Sequence, residues 1–243
     1  MKISVFSLLF LVNSFGSIVA QTLGDSHFFD LSYSGLSGNA KVIAKSNFIS
    51  AVGLAYTYET KGNIVFELQY RFLFGNYSGP DLFSALRTTQ GLLIAVDGSL
   101  TDVSVLYRGN SFYFNVGKNW PLVARHNLQF LLGVGLYQDL FLLRSLGATL
   151  PFLVNGMDKG YDQLSAGPSF QQALRYRHLG AQKRINYSID VFVQQAFLSN
   201  LRKYNYFNHT ADDAQHFNLI FGLQFAWIIP AFTTFGEEEF YTN

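Results

Sequence analysis

Apolar residues recur at every second position through segment after segment of this chain, the period of a β-strand with one face turned to an apolar medium. From Asn63 to Phe74, Ile64, Phe66, Leu68, Tyr70, Phe72 and Phe74 share one face, while Asn63, Val65, Glu67, Gln69, Arg71 and Leu73 share the other. The last strong segment repeats the rule, with Phe217, Leu219, Phe221, Leu223, Phe225, Trp227 and Ile229 opposing His216, Asn218, Gly222, Gln224 and Ala226. Faces of this length exceed what most soluble strands need and suit segments of about ten residues crossing a bilayer at a tilt. Further alternations begin at Phe29, Phe48, Phe112, Leu128, Phe170 and Ile185, the one at Phe29 being the weakest, so eight strands are expected.

The links between these segments alternate in length, as short periplasmic turns and long outer loops do in outer-membrane barrels. The short ones are Thr60–Gly62, Lys118–Asn127 and Leu179–Arg184, and Lys61–Gly62–Asn63 has good turn chemistry. The others are Gly35–Ser46, Gly75–Asn110, Asp139–Leu164 and Ser199–Gln215. The pattern predicts an all-β fold, an eight-stranded antiparallel up-and-down transmembrane β-barrel with long extracellular loops and both ends on the periplasmic side. Pro230 is expected to end the final strand, because proline cannot donate to a ladder, and Glu237–Glu238–Glu239 to hang in the periplasm. Tyr58, Tyr70, Phe74, Tyr176, Tyr187 and Trp227 are expected to form the interfacial aromatic girdles.

A soluble barrel of the lipocalin kind has the same period with the apolar face inward. Composition separates the two. Charged residues make up only 14% of the chain and aromatics 17%, and the polar faces hold mostly Gly, Ala, Ser, Asn and Gln. Such residues pack a narrow lumen but solubilise a surface badly, which favours the membrane barrel. A formal net charge of +1 with no Lys/Arg run argues against nucleic acid as a partner. The absence of cysteine excludes disulfides, thiolate metal sites, a catalytic Cys and a lipoprotein anchor. Met1, Lys2, the apolar stretch Ile3–Val12 and a small residue before Gln21 read as a signal peptide over residues 1–20, leaving 21–243 as the barrel domain with a short periplasmic tail. Export to the bacterial outer membrane, in contact with its lipid, is the expected destination.

Eight strands enclose room for side chains only. The inward charges Glu67, Arg71, Arg175, Arg177 and Asp190 are therefore expected to pair inside the lumen, with Glu67 and Asp190 as the partners of the three arginines. The other polar group of interest is His209, Asp212, Asp213 and His216, in and beside the last outer loop, which offers weak outer-rim candidates for acid–base or metal chemistry. Their spacing fits no motif closely, and no nucleophile-elbow Gly-x-Ser-x-Gly occurs. His27, His126 and His178 stand alone in the sequence. No catalytic set, cofactor or metal site is expected. The loops 75–110 and 139–164 carry apolar residues of their own, including Leu86, Leu92, Leu93, Ile94, Leu140, Phe141, Leu142, Leu143, Leu150, Phe152 and Leu153. They are expected to fold as a cap or to pack on a protein partner.

Several short stretches carry a resemblance: Tyr58–Glu59–Thr60–Lys61–Gly62–Asn63, Leu86–Arg87–Thr88 with Gly91 and Asp97–Gly98–Ser99, Gly133–Val134–Gly135–Leu136, Lys159–Gly160–Tyr161–Asp162, Trp227–Ile228–Ile229–Pro230 and Glu237–Glu238–Glu239. Together they resemble a family of small outer-membrane barrels common in Bacteroidota. The resemblance implies an exported barrel of that lineage, some members of which look like accessory subunits of outer-membrane protein assembly or type IX secretion machineries. The chain departs from the family pattern at Tyr137–Gln138–Asp139, so partner contacts there are not carried over. The expectation is a non-enzymatic accessory or scaffold subunit whose extracellular loops meet a larger outer-membrane or secretion assembly. The alternatives are an outer-rim barrel enzyme acting on lipid or peptide, or a narrow small-solute channel.

Overall fold

The computed structural model describes residues 26–39, 48–77, 79–123, 125–154, 157–180, 185–207, 210–211 and 215–233. The signal peptide, the acidic tail and the rim candidates His209, Asp212 and Asp213 lie outside the described residues.

In chain order the strands are β1 (Ser26–Gly38), β2 (Ile49–Glu59), β3 (Ile64–Asn76), β4 (Leu93–Ile94), β5 (Leu100–Thr101), β6 (Val103–Val123), β7 (His126–Ser145), β8 (Ser165–Leu179), β9 (Asn186–Asn200), β10 (Tyr204–Asn205), β11 (Thr210–Ala211) and β12 (Gln215–Thr233). Eight of them close an antiparallel barrel in sequence order, β1-β2-β3-β6-β7-β8-β9-β12, with β12 pairing back to β1. Closure leaves no unpaired edge, which is what a sheet needs in a medium that offers no hydrogen bonds. Alternation on each strand turns one set of side chains out and the other into the lumen: on β3, Val65, Glu67, Gln69, Arg71 and Leu73 are buried, while Ile64, Phe66, Leu68 and Tyr70 are exposed.

The eight-stranded architecture matches the sequence expectation, but several boundaries do not. β6 begins at Val103 and β7 runs to Ser145, so the ends of the expected loops 75–110 and 139–164 are strand. The pairs Val105 with Leu143 and Tyr107 with Phe141 carry this ribbon beyond the rest of the wall, since β-branched and aromatic cross-strand pairs are favourable wherever they find cover. At the other end β6 reaches Val123 and β7 starts at His126, which cuts the expected ten-residue link Lys118–Asn127 to a tight turn. Two of the three prolines within strands, Pro121 and Pro230, sit beside a slip in the ladder, while Pro168 in β8 lies opposite Leu136 in an unshifted register. β12 continues through Pro230 to Thr233, contrary to the expected stop, because the register between β1 and β12 shifts at His27/Phe28. The β6–β7 ladder likewise shifts between Pro121 and Val123. The Thr60–Asn63 turn closes with Asn63 N–H donating to Thr60 C=O at 2.9 Å, and Asn63 takes φ +60°, the left-handed conformation asparagine tolerates.

Candidate functional site

Two regions hold the side chains that could carry function, the lumen and the head built by the outer loops.

All five predicted lumen residues are buried inside the barrel, and they stack in layers along the axis. Arg175 is the hub of the middle layer. Its Nε donates to both oxygens of Asp190 at 3.0 Å, and its Nη1 donates to Glu67 Oε2 at 2.5 Å. Asp190 is directly opposite Arg175 on the neighbouring strand, whereas Glu67 reaches it across the lumen. The remaining oxygens of these acids are also held: Asn115 donates to Glu67 Oε1 (2.8 Å), Thr57 to Glu67 Oε2 (3.1 Å) and Gln224 to Asp190 Oδ2 (3.0 Å). Gly133 makes room for this arrangement, because a Cβ there would lie 1.9 Å from Asn115 Oδ1.

The expected partnership of Glu67 and Asp190 with all three arginines needs correction. Arg177 lies one layer below Arg175, on the same face of β8, and ion-pairs with Glu59, to which Asn119 also donates at 2.5 Å. Its guanidinium stacks over Phe28, 4.8 Å from the ring centroid. Arg71 lies two positions above Glu67 on the same face of β3, too far up the strand to share it. It donates instead to Gln224 (2.9 Å) and Gln171 (2.7 Å) and lies over Phe192 at 4.2 Å. Two acids were missed as members of the network, Glu59 and Asp30, the latter 3.8 Å from Arg175. The parity of their strands was the available signal: Glu59 alternates inward with Thr57, and Asp30 opposes Phe29 and Leu31.

Above Arg71 the lumen turns apolar, filled by Leu36, Ile49, Leu73, Phe192 and Ile220. At its mouth Tyr107 and Tyr137 share a hydroxyl–hydroxyl bond of 2.6 Å, and Tyr107 donates to Asp139 at 3.3 Å. His216, the one rim candidate among the described residues, lines a pocket here with Asp139, Gln163, Ser165 and Asn218. The pocket's volume of about 20 Å³ is the room of a single water molecule.

The outer loops cover this mouth with a head that has its own core. Phe83, Leu93, Val103 and Leu150 are buried there, with Phe152, Tyr161 and Phe207 packed against them. Phe83 stacks on Phe152 (ring centroids 4.7 Å apart) and meets Phe207 edge-on (5.1 Å). Ion pairs bind the loops on the outside: Arg87 with Asp81 and with Asp102 (2.8 Å), and Arg202 with Asp162 (2.5 Å). Arg87 also donates to Gly91 C=O at 2.6 Å, and Gly91 takes φ +77°. The Arg87 hydrogen bond holds the Asp102 carboxyl below the usual carboxylate range. The expectation of a cap is met, and it accounts for most of the apolar loop residues. Ile94, Val96 and Leu100 on the β4–β5 hairpin, with Leu146 beside it, remain exposed.

Outside, the wall is an apolar belt with histidines and tyrosines gathered at its turn end. His126 pairs with Tyr176 hydroxyl (2.6 Å), and its ring lies 4.7 Å from that of His178, so two histidines that stood alone in sequence meet on adjacent strands. With Tyr58, Tyr187 and His27 they form the girdle at the turn end of the barrel. Tyr70 is an exception among the expected girdle residues: it lies mid-strand, and its hydroxyl is satisfied by Asn110 at 2.6 Å. A closed eight-stranded wall with an apolar exterior, aromatic girdles and a filled polar interior is that of an outer-membrane β-barrel, and such a barrel is what this chain forms.

No family model matches the chain, and no curated protein matches it in sequence. Among solved structures it is similar to Ail, the attachment invasion locus protein of Yersinia pestis, in complex with the heparin analogue sucrose octasulfate, at 11% identity and a TM-score of 0.44 over 85% of this chain and 100% of that one. It is also similar to Neisserial surface protein A, at 9% identity and a TM-score of 0.39 over 83% of this chain and 97% of that one.

Proposed function

We propose that the chain is a non-enzymatic outer-membrane barrel that serves as an accessory or scaffold subunit, presenting its head to a larger outer-membrane assembly of the protein-assembly or secretion kind. The observation that carries this reading is the exposed apolar hairpin: Ile94 and Leu100 are cross-strand partners, and both side chains face outward from a head whose own core is already buried around Phe83. A cap that has already covered its own core gains nothing from exposing Ile94, Val96, Leu100 and Leu146 to water, whereas a contact surface does. Signal-peptide export of residues 1–20, the head outside the cell and the acidic tail in the periplasm complete the proposal, with the motif resemblance to Bacteroidota barrels as its support for the kind of machinery. The lumen network would then act as a structural plug that holds the barrel rigid under the head.

Affinity purification of the tagged full chain in mild detergent tests it. A stoichiometric larger membrane partner is expected, and Ile94→Asp with Leu100→Asp should release that partner while the barrel stays folded. Recovery of a lone barrel in several detergents, or a partner retained by the double variant, would overturn the reading.

A further inference from the structure

The barrel wall differs around its circumference. On β1, β2, β3, β6 and β12 the outward side chains are rich in rings, among them Phe29, Tyr56, Phe66, Phe114 and Phe225. Across the middle of β7, β8 and β9 they are mainly aliphatic: Leu132, Val134, Leu174, Val191 and Val193. Within this smoother sector two glutamines point outward, Gln172 on β8 and Gln195 on β9.

Apolar neighbours surround both. Gln172 lies opposite Leu132 on one side and Val193 on the other, and Gln195 lies opposite Phe170 and Leu219. They occupy diagonal positions on adjacent strands, within reach of one another for side chains of this length. Several other outward polar groups of the wall have partners: Tyr70 with Asn110 at 2.6 Å, Tyr33 with Ser50 at 2.7 Å, His27 with Tyr56 at 2.7 Å. Neither glutamine amide has a hydrogen-bond partner among the described residues. Lipid tails offer none either, so an amide at this depth is costly unless something else in the membrane meets it.

We propose that the β7–β9 face is the contact between two copies of this chain in the membrane, with the Gln172–Gln195 pair hydrogen-bonded to its own image. A primary amide carries donors and an acceptor on one group, so it is complementary to itself. Two copies inserted in the same direction, and related by a twofold axis along the membrane normal, present the pair to its image at the same depth. The aliphatic side chains around it allow the close approach on which association in lipid depends, since burial from water contributes nothing there.

The absence of cysteine from the chain makes the test clean. Val193→Cys, next to both glutamines and leaving them intact, is introduced into the purified full-length protein in phospholipid bilayers and treated with a short bis-maleimide. A cross-linked dimer is expected, whereas Leu54→Cys in the ring-rich sector should stay monomeric. Adding Gln172→Leu and Gln195→Leu should lower the dimer yield roughly tenfold, the effect of losing a few membrane hydrogen bonds of ordinary strength, while heat-modifiable migration on a gel shows the barrel still closed. No dimer from Val193→Cys, or a dimer undiminished by the leucine variants, overturns the proposal. So does cross-linking confined to whole outer membranes and to a different protein, which would assign the face to another partner. None of these readouts involves the head hairpin, so this contact and the head contact fail independently.

Discussion

The wall and the head of this molecule solve opposite problems with the same residue types. In the wall the apolar face looks out, and the buried space holds charge: Arg71, Arg175 and Arg177 lie among Asp30, Glu59, Glu67 and Asp190, with Asp139 at the mouth and Arg175 shared by Glu67 and Asp190. In the head a core of apolar residues looks in, around Phe83, and the arginines Arg87 and Arg202 lie outside it, bridging loops. An ion pair is therefore worth very different amounts in the two places. A buried pair is defined by what its loss would leave stranded, while an exposed one is screened and shares its work with solvent.

The sharpest way to break this comparison is to remove the hub of the lumen. Arg175→Met leaves Glu67 and Asp190 buried without their cation and should cost about 3–5 kcal/mol of barrel stability, read as a lower urea midpoint for unfolding from lipid vesicles. Restoring balance with Glu67→Gln and Asp190→Asn in the same chain should recover much of that loss. If Arg175→Met unfolds no more easily than the native chain, the network is not a stabilising plug.

The opposite face gives the next effect. Leu68→Arg or Phe221→Arg, near mid-strand and exposed to lipid, should cost ~2–4 kcal/mol, whereas Arg at Tyr58 in the girdle should cost little. Equal costs at the three positions would mean that the belt does not lie across the bilayer where the side chains place it.

How much of this was legible in sequence follows from the same contrast. The wall was readable because lipid outside and a filled lumen inside impose a strict alternation over ten residues, and a one-residue slip would turn every side chain over. That alone puts Glu67, Arg71, Arg175, Arg177 and Asp190 inside. It does not say which charge meets which, because that depends on height along the axis. Height is set by the relative stagger of strands far apart in sequence, which is why Glu59 rather than Glu67 faces Arg177. The head was less legible. Leu142 and Leu143 look alike in a sequence, yet they belong to a strand that leaves the membrane and whose inner face turns from lumen to head core. The aromatic cluster of Phe83, Phe152, Tyr161 and Phe207 joins three separate loops with no shared period.

A smaller change separates head from wall. Phe83→Leu thins the head core and should destabilise the head by roughly 1–2 kcal/mol while the barrel's own unfolding midpoint stays put. Protease added to intact cells reads it: cleavage within the loops between β3 and β6 and between β7 and β8 should speed up several-fold, and a tag after Asn243 should remain protected. Labelling of that tag on unbroken cells would reverse the orientation of the whole molecule, and an unchanged cleavage rate would mean that the head does not depend on this core.

The smallest effect is the one most specific to the head's surface. Arg87 binds Asp81 and Asp102, and its hydrogen bond lowers the Asp102 carboxyl below the ordinary range. A carboxylate whose folded value is depressed contributes stability that is complete above its unfolded value of about 3.9, and that contribution is lost as pH falls through the lowered folded value. The pair is partly open to solvent, with the Asp102 side chain 40% exposed, so solvent screening limits it to roughly 0.5 kcal/mol at neutral pH. Arg87→Met should therefore raise the rate of loop cleavage by about twofold at pH 7. At 1 M salt the gap between variant and native chain should narrow, and at a pH below the lowered Asp102 value it should close. The lumen pairs lie behind the wall and should show no such salt response, so a gap at Arg87 that persists through both treatments would place its pairing in a far drier setting than the exposed head surface provides.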